Sequence, residues 1–331
     1  MRAMILAAGL GTRLRPLTCF RPKVLVPVMG MTILEFWVHQ LHEAGFEAVV
    51  VNAHNLHERL VAEISNRAWP MPVEVRVEPV LLGTGGGIRN VLEFFGKEPF
   101  AVVNGDIVSK IPFRELLDEH RASGSLVSLL MHDRPVFNNV AVNGSGCILG
   151  FGRQAEEIAR QAKDVQKLAF TGIHIINPEI LSHYSHGASW EILVAYADLI
   201  RRGLEVKALF APNLFWEEMG SVASYRDLSR TLSTLPDGAL SPMATGRPLV
   251  MDPSAKVSPG FVSRGFNVIG RGTRVMEEVL LQDCILWDGI LVESGSRLRN
   301  CIVADGVVVR GEHEDEIITR DGVCGVPRTD A

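Results

Sequence analysis

Up to about residue 130 the chain alternates short apolar runs with stretches whose apolar residues recur every three or four positions. The runs Met4–Ala7, Ala48–Val51, Val73–Val77, Phe100–Val103 and Leu126–Leu130 have the length and aliphatic content of buried strands. Between the first two, Ile33, Leu34, Trp37, Val38 and Leu41 fall on one face of a helix. Strands that alternate with helices predict an α/β domain with a mostly parallel sheet covered on both faces. In such sheets ligands bind beyond the carboxyl ends of the strands. From about Asn138 the pattern loosens into short strands and the polar stretch Arg153–Lys167, followed by the apolar run Leu168–Ile176. A helix is predicted at Trp190–Arg202, a strand at Val206–Phe210 and a further helix through Val222–Leu235.

A second periodicity begins after a Pro- and Gly-rich stretch. Residues 236–250 read as a linker between a domain at 1–235 and one at 251–331. Beyond it, Val257, Val262, Val268, Val275, Leu280, Ile285, Leu291, Leu298, Ile302 and Val307 recur at five to seven residues, with Gly or Asp-Gly between them. A period near six with aliphatics pointing inward predicts a parallel β-helix of hexapeptide type; antiparallel hairpins at the same spacing are the alternative.

Composition narrows the function classes. Among 331 residues, 47% are hydrophobic and 21% charged, and the formal charge is −5. That describes a globular protein and argues against a general nucleic-acid binder, while leaving room for a local basic pocket. The five cysteines are scattered without C-x-x-C spacing, which fits reduced thiols in a cytoplasmic protein better than a disulfide framework or a zinc site. The chain opens directly on a strand, so no secretory leader is expected, and no apolar run approaches the ~20 residues that span a bilayer.

The first strand empties into Ala7-Ala8-Gly9-Leu10-Gly11-Thr12-Arg13-Leu14, and Arg21-Pro22-Lys23 follows. Glycines let the backbone turn tightly and aim N–H groups at an anion. Arg13 and Lys23 add two fixed positive charges for a polyphosphate. The spacing is neither that of the P-loop nor that of the dinucleotide fingerprint. The whole string, continuing into Val24-Leu25-Val26-Pro27-Val28, resembles the signature of the sugar-1-phosphate nucleotidyltransferases. The β-helical pattern, with Cys284-Ile285-Leu286-Trp287-Asp288-Gly289 above Cys301-Ile302-Val303-Ala304-Asp305-Gly306, resembles the tails of the same family.

The resemblance implies a Rossmann-like nucleotidyltransferase domain followed by a short left-handed parallel β-helix. It also implies a reaction in which a sugar 1-phosphate oxygen attacks the α-phosphorus of an NTP in line and pyrophosphate leaves. Such a reaction needs positioning and charge stabilisation rather than a protein nucleophile. Leu6, Ala8, Gly9, Gly11 and Thr12 would then line the nucleotide, with Arg13, Lys23 and Asp106 as the catalytic set. Asp106, in Asn104-Gly105-Asp106, resembles the family's metal motif and would hold Mg²⁺. The second metal carboxylate comes from a W-x-D-x-G-[ST] motif; here Trp216-Glu217-Glu218-Met219-Gly220-Ser221 puts Glu218 at the Asp position. Glu78 and the segment Leu82-Gly83-Thr84-Gly85-Gly86-Gly87 resemble the base-binding region, with Glu78 as acceptor for guanine N–H groups and Gly83, Thr84 and Gly85 against the base.

On the sugar side, Phe170-Thr171-Gly172-Ile173-His174 resembles the segment that lies against the hexose. For His174 a packed strand position and a sugar contact are the two readings. Asn139 and Arg153 are further sugar-side candidates. The family's E-K-P motif is missing, leaving Arg153, Lys163 or Lys167 to supply the cation. Guanylyl transfer to a mannose- or heptose-type 1-phosphate is the first expectation. Uridylyl transfer to an N-acetylmuramate-type 1-phosphate is the second, and a regulatory subunit that binds nucleotide-sugar without making it is a rival from another class. An acetyltransferase tail would need a catalytic His within the β-helix, where only His313 is available. The β-helix is therefore expected to serve homo-oligomerisation or packing.

Overall fold

A computed structural model describes residues 1–244 and 246–326. Residue 245 of the expected linker and residues 327–331 of the expected C-terminal domain lie outside the described residues. The chain divides into two compact units. One comprises Met1–Gly9 and Trp37–Trp216; the other comprises Leu10–Phe36 and the chain from Glu217 onward.

The first unit is built on a nine-stranded sheet of β1 (Arg2–Leu6), β2 (Ala48–Ala53), β3 (Val73–Val77), β4 (Phe100–Asn104), β5 (Val127–His132), β6 (Val140–Asn143), β7 (Ile148–Phe151), β8 (Val165–Ile176) and β9 (Val206–Phe210). β3, β2, β1 and β4 lie side by side and parallel, Met4 standing between Val50 and Val102. The chain leaves β1 for β2 on one side and returns to pair β4 on the other. The carboxyl end of β1 is thus a topological switch point, the place where such sheets bind ligands. β8 runs antiparallel to β4, β5 and β6. Met4, Val50, Phe100, Val102, Leu129 and Tyr196 belong to one buried apolar cluster on this sheet.

The polar stretch after Arg153 is a helix, Gly152–Gln161, rather than irregular chain. It buries Ala155 and presents charge elsewhere, so its apolar stripe is too narrow to stand out in the sequence. The helices predicted at Trp190–Arg202 and Val222–Leu235 form at Ile192–Arg201 and Val222–Thr234.

The second unit contains the β-helical stack. Its strands pair in parallel at offsets of one coil: Val257 against Val275 and Val275 against Val292, Val268 against Ile285 and Ile285 against Ile302. Each coil is 17 or 18 residues, three hexapeptides, as the period near six implies. The inward register corrects three expected positions. At Leu280 and Leu291 the fully buried residue is the next one, Leu281 or Val292, because side chains alternate along even these short strands. Val262 is exposed for the same reason. Within 236–250, Leu240, Met243 and Ala244 are buried, so this stretch packs.

Candidate active site

In the first unit the carboxyl ends of β1, β2, β3 and β4 carry the expected residues. β1 ends at Leu6, whose carbonyl accepts from Gly105 N–H at 2.9 Å; this ties Asn104-Gly105-Asp106 to the start of the Gly-rich turn. Asp106 is half-buried in that turn. Asn104 also faces β8 at Gly172, where a Cβ would come within 2.5 Å of its amide nitrogen. Gly172 has φ +79°, and the register between β5 and β8 shifts there between Phe170 and His174. Only glycine takes that backbone and that approach together. The sugar-side segment and the Asp106 turn are therefore neighbours.

Asn52, at the end of β2, is the residue that sequence reasoning missed. It is 2% exposed; its Oδ1 accepts from Ala7 N–H at 2.7 Å and its Nδ2 donates to Glu78 Oε1 at 2.8 Å. Glu78 Oε2 accepts from Leu82 N–H at 3.2 Å. The expected role of Glu78 is corrected: this carboxylate is buried and occupied in joining the first turn to the 78–82 loop, and is not presented to a base. A polar side chain closing the aliphatic run Val49–Val51 was the available signal for Asn52.

The glycines at 83–87 also have protein neighbours. A Cβ on Gly85 would run into the Trp190 indole and one on Gly86 into the Ala188 carbonyl, while one on Gly87 would lie 2.7 Å from Glu78 Oε1. Gly85 N–H and Gly86 N–H both donate to the Trp190 carbonyl. Thr84 Oγ1 donates to Glu191 Oε2 at 2.6 Å and accepts from Ile192 N–H at 2.9 Å. Tyr184 stacks on Trp190 with ring centroids 4.3 Å apart. Gly85 and Gly86 thus admit the 188–191 segment and Gly87 admits the Glu78 carboxylate, requirements the expected base contact did not foresee.

His174 is corrected as a sugar contact. It is 2% exposed, bonded through Nδ1 to Tyr196 Oη at 2.7 Å, and burial pushes its pKa down to about 3. It is a neutral core residue. Lys167, a candidate for the missing cation, is paired with Glu156 at 2.6 Å. Asn139 and Arg153 are exposed, and the Asn139 carbonyl accepts from Gly152 N–H. Trp216 Nε1 donates to the Thr171 carbonyl at 2.9 Å, which braces the strand end that leads to Glu218.

The second unit holds the charged part of the motif. Gly11 takes φ +60° and its carbonyl accepts from Thr18 Oγ1 at 2.7 Å, so the loop turns back on itself. Arg13 Nη2 lies 3.0 Å from Glu218 Oε1. Gly220 makes this pair possible: a Cβ there would stand 2.9 Å from Glu218 Oε1 and 3.2 Å from Arg13 Nη1. Ser221 follows as N-cap of the helix Val222–Thr234, its side chain and that of Ser224 each accepting the other's backbone N–H. The W-E-E-M-G-S string therefore encodes a strand end, a carboxylate, a close approach and a helix start. Lys23 is half-buried on the same loop.

A family model described as nucleotidyl transferase matches residues 2–234. The chain belongs to the nucleotidyl transferase family. It is 29% identical over 88% of its length to the mannose-1-phosphate guanylyltransferase of Mycobacterium tuberculosis, covering 81% of that protein. It is 28% identical over 81% of its length to the UTP–glucose-1-phosphate uridylyltransferase of a Synechocystis strain, covering 70% of it. The crystal structure of HddC from Yersinia pseudotuberculosis shares the fold with a TM-score of 0.57 at 19% identity, over 70% of this chain and 98% of that one. A nucleotidyl-transferring enzyme accounts for a Gly-rich turn and a half-buried Asp at the ends of parallel strands in one unit, and for the two cations on the loop of the other. Among the described residues no helix is long and apolar enough to cross a membrane.

Among the described residues no group of three or more His, Cys, Asp or Glu forms a metal cage. Mg²⁺ bound with a nucleotide usually takes only one or two protein carboxylates and completes its shell with phosphate oxygens and water. Asp106 and Glu218 each fit that donor chemistry.

Proposed function

We propose that this enzyme transfers a guanylyl group from GTP to a mannose- or heptose-type sugar 1-phosphate, releasing pyrophosphate. The match to the Mycobacterium tuberculosis guanylyltransferase across 88% of the chain carries the reading, because it extends over both the nucleotidyltransferase part and the β-helix. Uridylyl transfer to an N-acetylmuramate-type 1-phosphate or a related sugar is the second reading, favoured by the Synechocystis uridylyltransferase at nearly the same identity. A regulatory subunit that only binds nucleotide-sugar is the third.

In the proposed reaction the sugar phosphate oxygen forms a bond to the α-phosphorus while the bond from that phosphorus to the β-phosphate oxygen breaks. Gly9, Gly11 and Thr12 cradle the triphosphate with backbone N–H groups, and Leu6, Ala8, Gly83 and Thr84 border the nucleoside. Arg13 balances charge that develops on departing pyrophosphate, and Lys23 holds phosphate oxygens in line. Asp106 and Glu218 are the carboxylates that would hold Mg²⁺, and the ion would supply neutralisation of phosphate charge. Gly172, Asn139 and Arg153 meet the sugar phosphate. Glu78 acts on the base only indirectly, by fixing the loop through Leu82.

The test crosses GTP, UTP, dTTP, CTP and ATP with several sugar 1-phosphates and follows pyrophosphate. Turnover with GTP and mannose or heptose 1-phosphate, abolished in Asp106→Ala, is the expected result. Turnover with UTP alone would replace the first reading by the second. No pyrophosphate from any pair, with retained binding of a nucleotide-sugar, would establish the third.

A further inference from the structure

Arg21 stands two residues before Lys23, is 6% exposed, and has no task in the proposed reaction. Its partners come from the β-helix. Nε lies 2.9 Å from Asp305 Oδ2 and Nη2 lies 2.5 Å from Asp305 Oδ1, a two-pronged pair; Nη2 also lies 2.7 Å from Asp288 Oδ2. The remaining Nη1 donates to the Leu25 carbonyl at 3.4 Å, and the guanidinium carbon sits 5.1 Å from the centre of the Trp287 ring. Asp288 and Asp305 close equivalent turns, Trp287-Asp288-Gly289 and Ala304-Asp305-Gly306, one coil apart, and Asp288 N–H donates to Asp305 Oδ1. Alongside, Trp287 Nε1 donates to Tyr225 Oη at 3.1 Å, and Tyr225 Oη donates to the Pro27 carbonyl at 2.6 Å. The segment 21–27 is therefore held at Arg21, Leu25 and Pro27.

The loop needs such support. Between Leu10 and Val26 it forms only three single turns of 3₁₀ helix, Thr12–Leu14, Leu17–Cys19 and Lys23–Leu25, whose internal bonds are few. Chain of that kind opens at low free energy unless it is fixed from outside. A buried guanidinium between two carboxylates contributes little net stability, but its planar fork accepts one geometry and Lys does not reproduce it.

We propose that Arg21 is a positioning residue for nucleotidyl transfer, and that the β-helical turns at Asp288 and Asp305 fix the loop that carries Arg13 and Lys23. This rests on the reading of that loop as the triphosphate cradle. The β-helix is then a working part of the phosphate site, beyond the packing or oligomerisation role expected from its sequence.

The experiment uses the full chain with Arg21→Lys, Asp305→Asn and the charge exchange Arg21→Asp/Asp305→Arg. It measures KM for each substrate, kcat, and hydrogen exchange at single amides. In Arg21→Lys and Asp305→Asn, KM for the NTP is expected to rise at least tenfold while KM for the sugar 1-phosphate stays within twofold. The amides of Leu14, Leu25 and Val26, which close the loop turns, are expected to exchange at least tenfold faster, with Ile285 and Leu291 in the coils unchanged. Loop exchange and NTP KM both within twofold of wild type would overturn the proposal. A fall in kcat alone, at unchanged KM values and loop exchange, would overturn it too, since that marks lost folded protein. Should the single variants also loosen the coils, the charge exchange decides: restored protection at Leu25 supports the clamp and its absence refutes it. Wild-type protein that releases no pyrophosphate from any substrate pair would defeat the functional reading, and the exchange pattern would still judge the clamp.

Discussion

Arg13 and Glu218, 205 residues apart in the chain, form an ion pair at 3.0 Å over the bare backbone of Gly220. The proposed reaction gives each a different partner, triphosphate for Arg13 and Mg²⁺ for Glu218. On that proposal the pair would open, Arg13 turning to phosphate and Glu218 to Mg²⁺. Arg13 is 71% and Glu218 25% exposed in the side chain, so the pair itself contributes only about 0.2–1 kcal/mol.

Glu218→Gln should therefore separate binding from turnover. With chelator present, its affinity for nucleotide should rise up to about fivefold, because Arg13 is released from a pair of that strength. With Mg²⁺ its turnover should fall more than tenfold. Fluorescent-nucleotide titration and pyrophosphate release measure the two. A variant that binds metal-free nucleotide no better than wild type would show that Glu218 does not restrain Arg13.

Asn52 joins Ala7 to Glu78. In Asn52→Ala a half-buried N–H and a buried carboxylate oxygen lose their partner, at a cost of about 1–3 kcal/mol. Urea unfolding should show a lower midpoint at unchanged slope, and KM for the NTP should rise because both loops loosen. Unaltered stability would mean that water replaces the amide.

Gly85 faces the indole of Trp190. Gly85→Ala should destabilise by about 1–3 kcal/mol through overpacking. Combining it with Trp190→Ala should recover part of that loss, since the two changes meet at one contact. Strict additivity in a double-mutant cycle would place the strain elsewhere.

His174 predicts an acid sensitivity. Its pKa is about 3 in the fold, because burial disfavours the charged ring, against 6.5 ordinarily. Between those values the unfolded chain binds a proton that the folded one refuses, so stability falls as pH drops below 6.5. At pH 5 the loss from this ring is about 2 kcal/mol. His174→Phe should show a smaller fall in urea midpoint between pH 7.5 and pH 5 than wild type. Equal falls would assign the effect to other groups, such as His120 and His132, whose pKa values burial also lowers.

Local pattern carried much of this protein. The aliphatic runs at Met4, Ala48 and Phe100 named three parallel strands, since burial on both faces demands continuous apolar residues, while Val73–Val77 alternates Val with Glu74 and Arg76 because it is the half-exposed edge strand. The turn after Leu6 and the turn at Asp106 follow from where those runs stop. The six-residue period gave the coils, though not which of two adjacent aliphatics faces inward at Leu280–Leu281 or Leu291–Val292. The helix Gly152–Gln161 escaped because one buried Ala leaves almost no stripe.

The sequence by itself thus determined the strands, the family signature of the first loop and the coil repeat, each written in a short local window. The tertiary structure alone decided what those residues touch. It occupied the Glu78 carboxylate with Asn52 and Leu82, filled the face of Gly85 with Trp190, buried His174 against Tyr196, set Glu218 on Arg13 and closed Asp288 and Asp305 on Arg21. Most of these partners are tens to hundreds of residues apart. Hydrophobic periodicity fixes which face of an element is buried, while a buried polar group takes whichever partner the packed chain brings within about 3 Å.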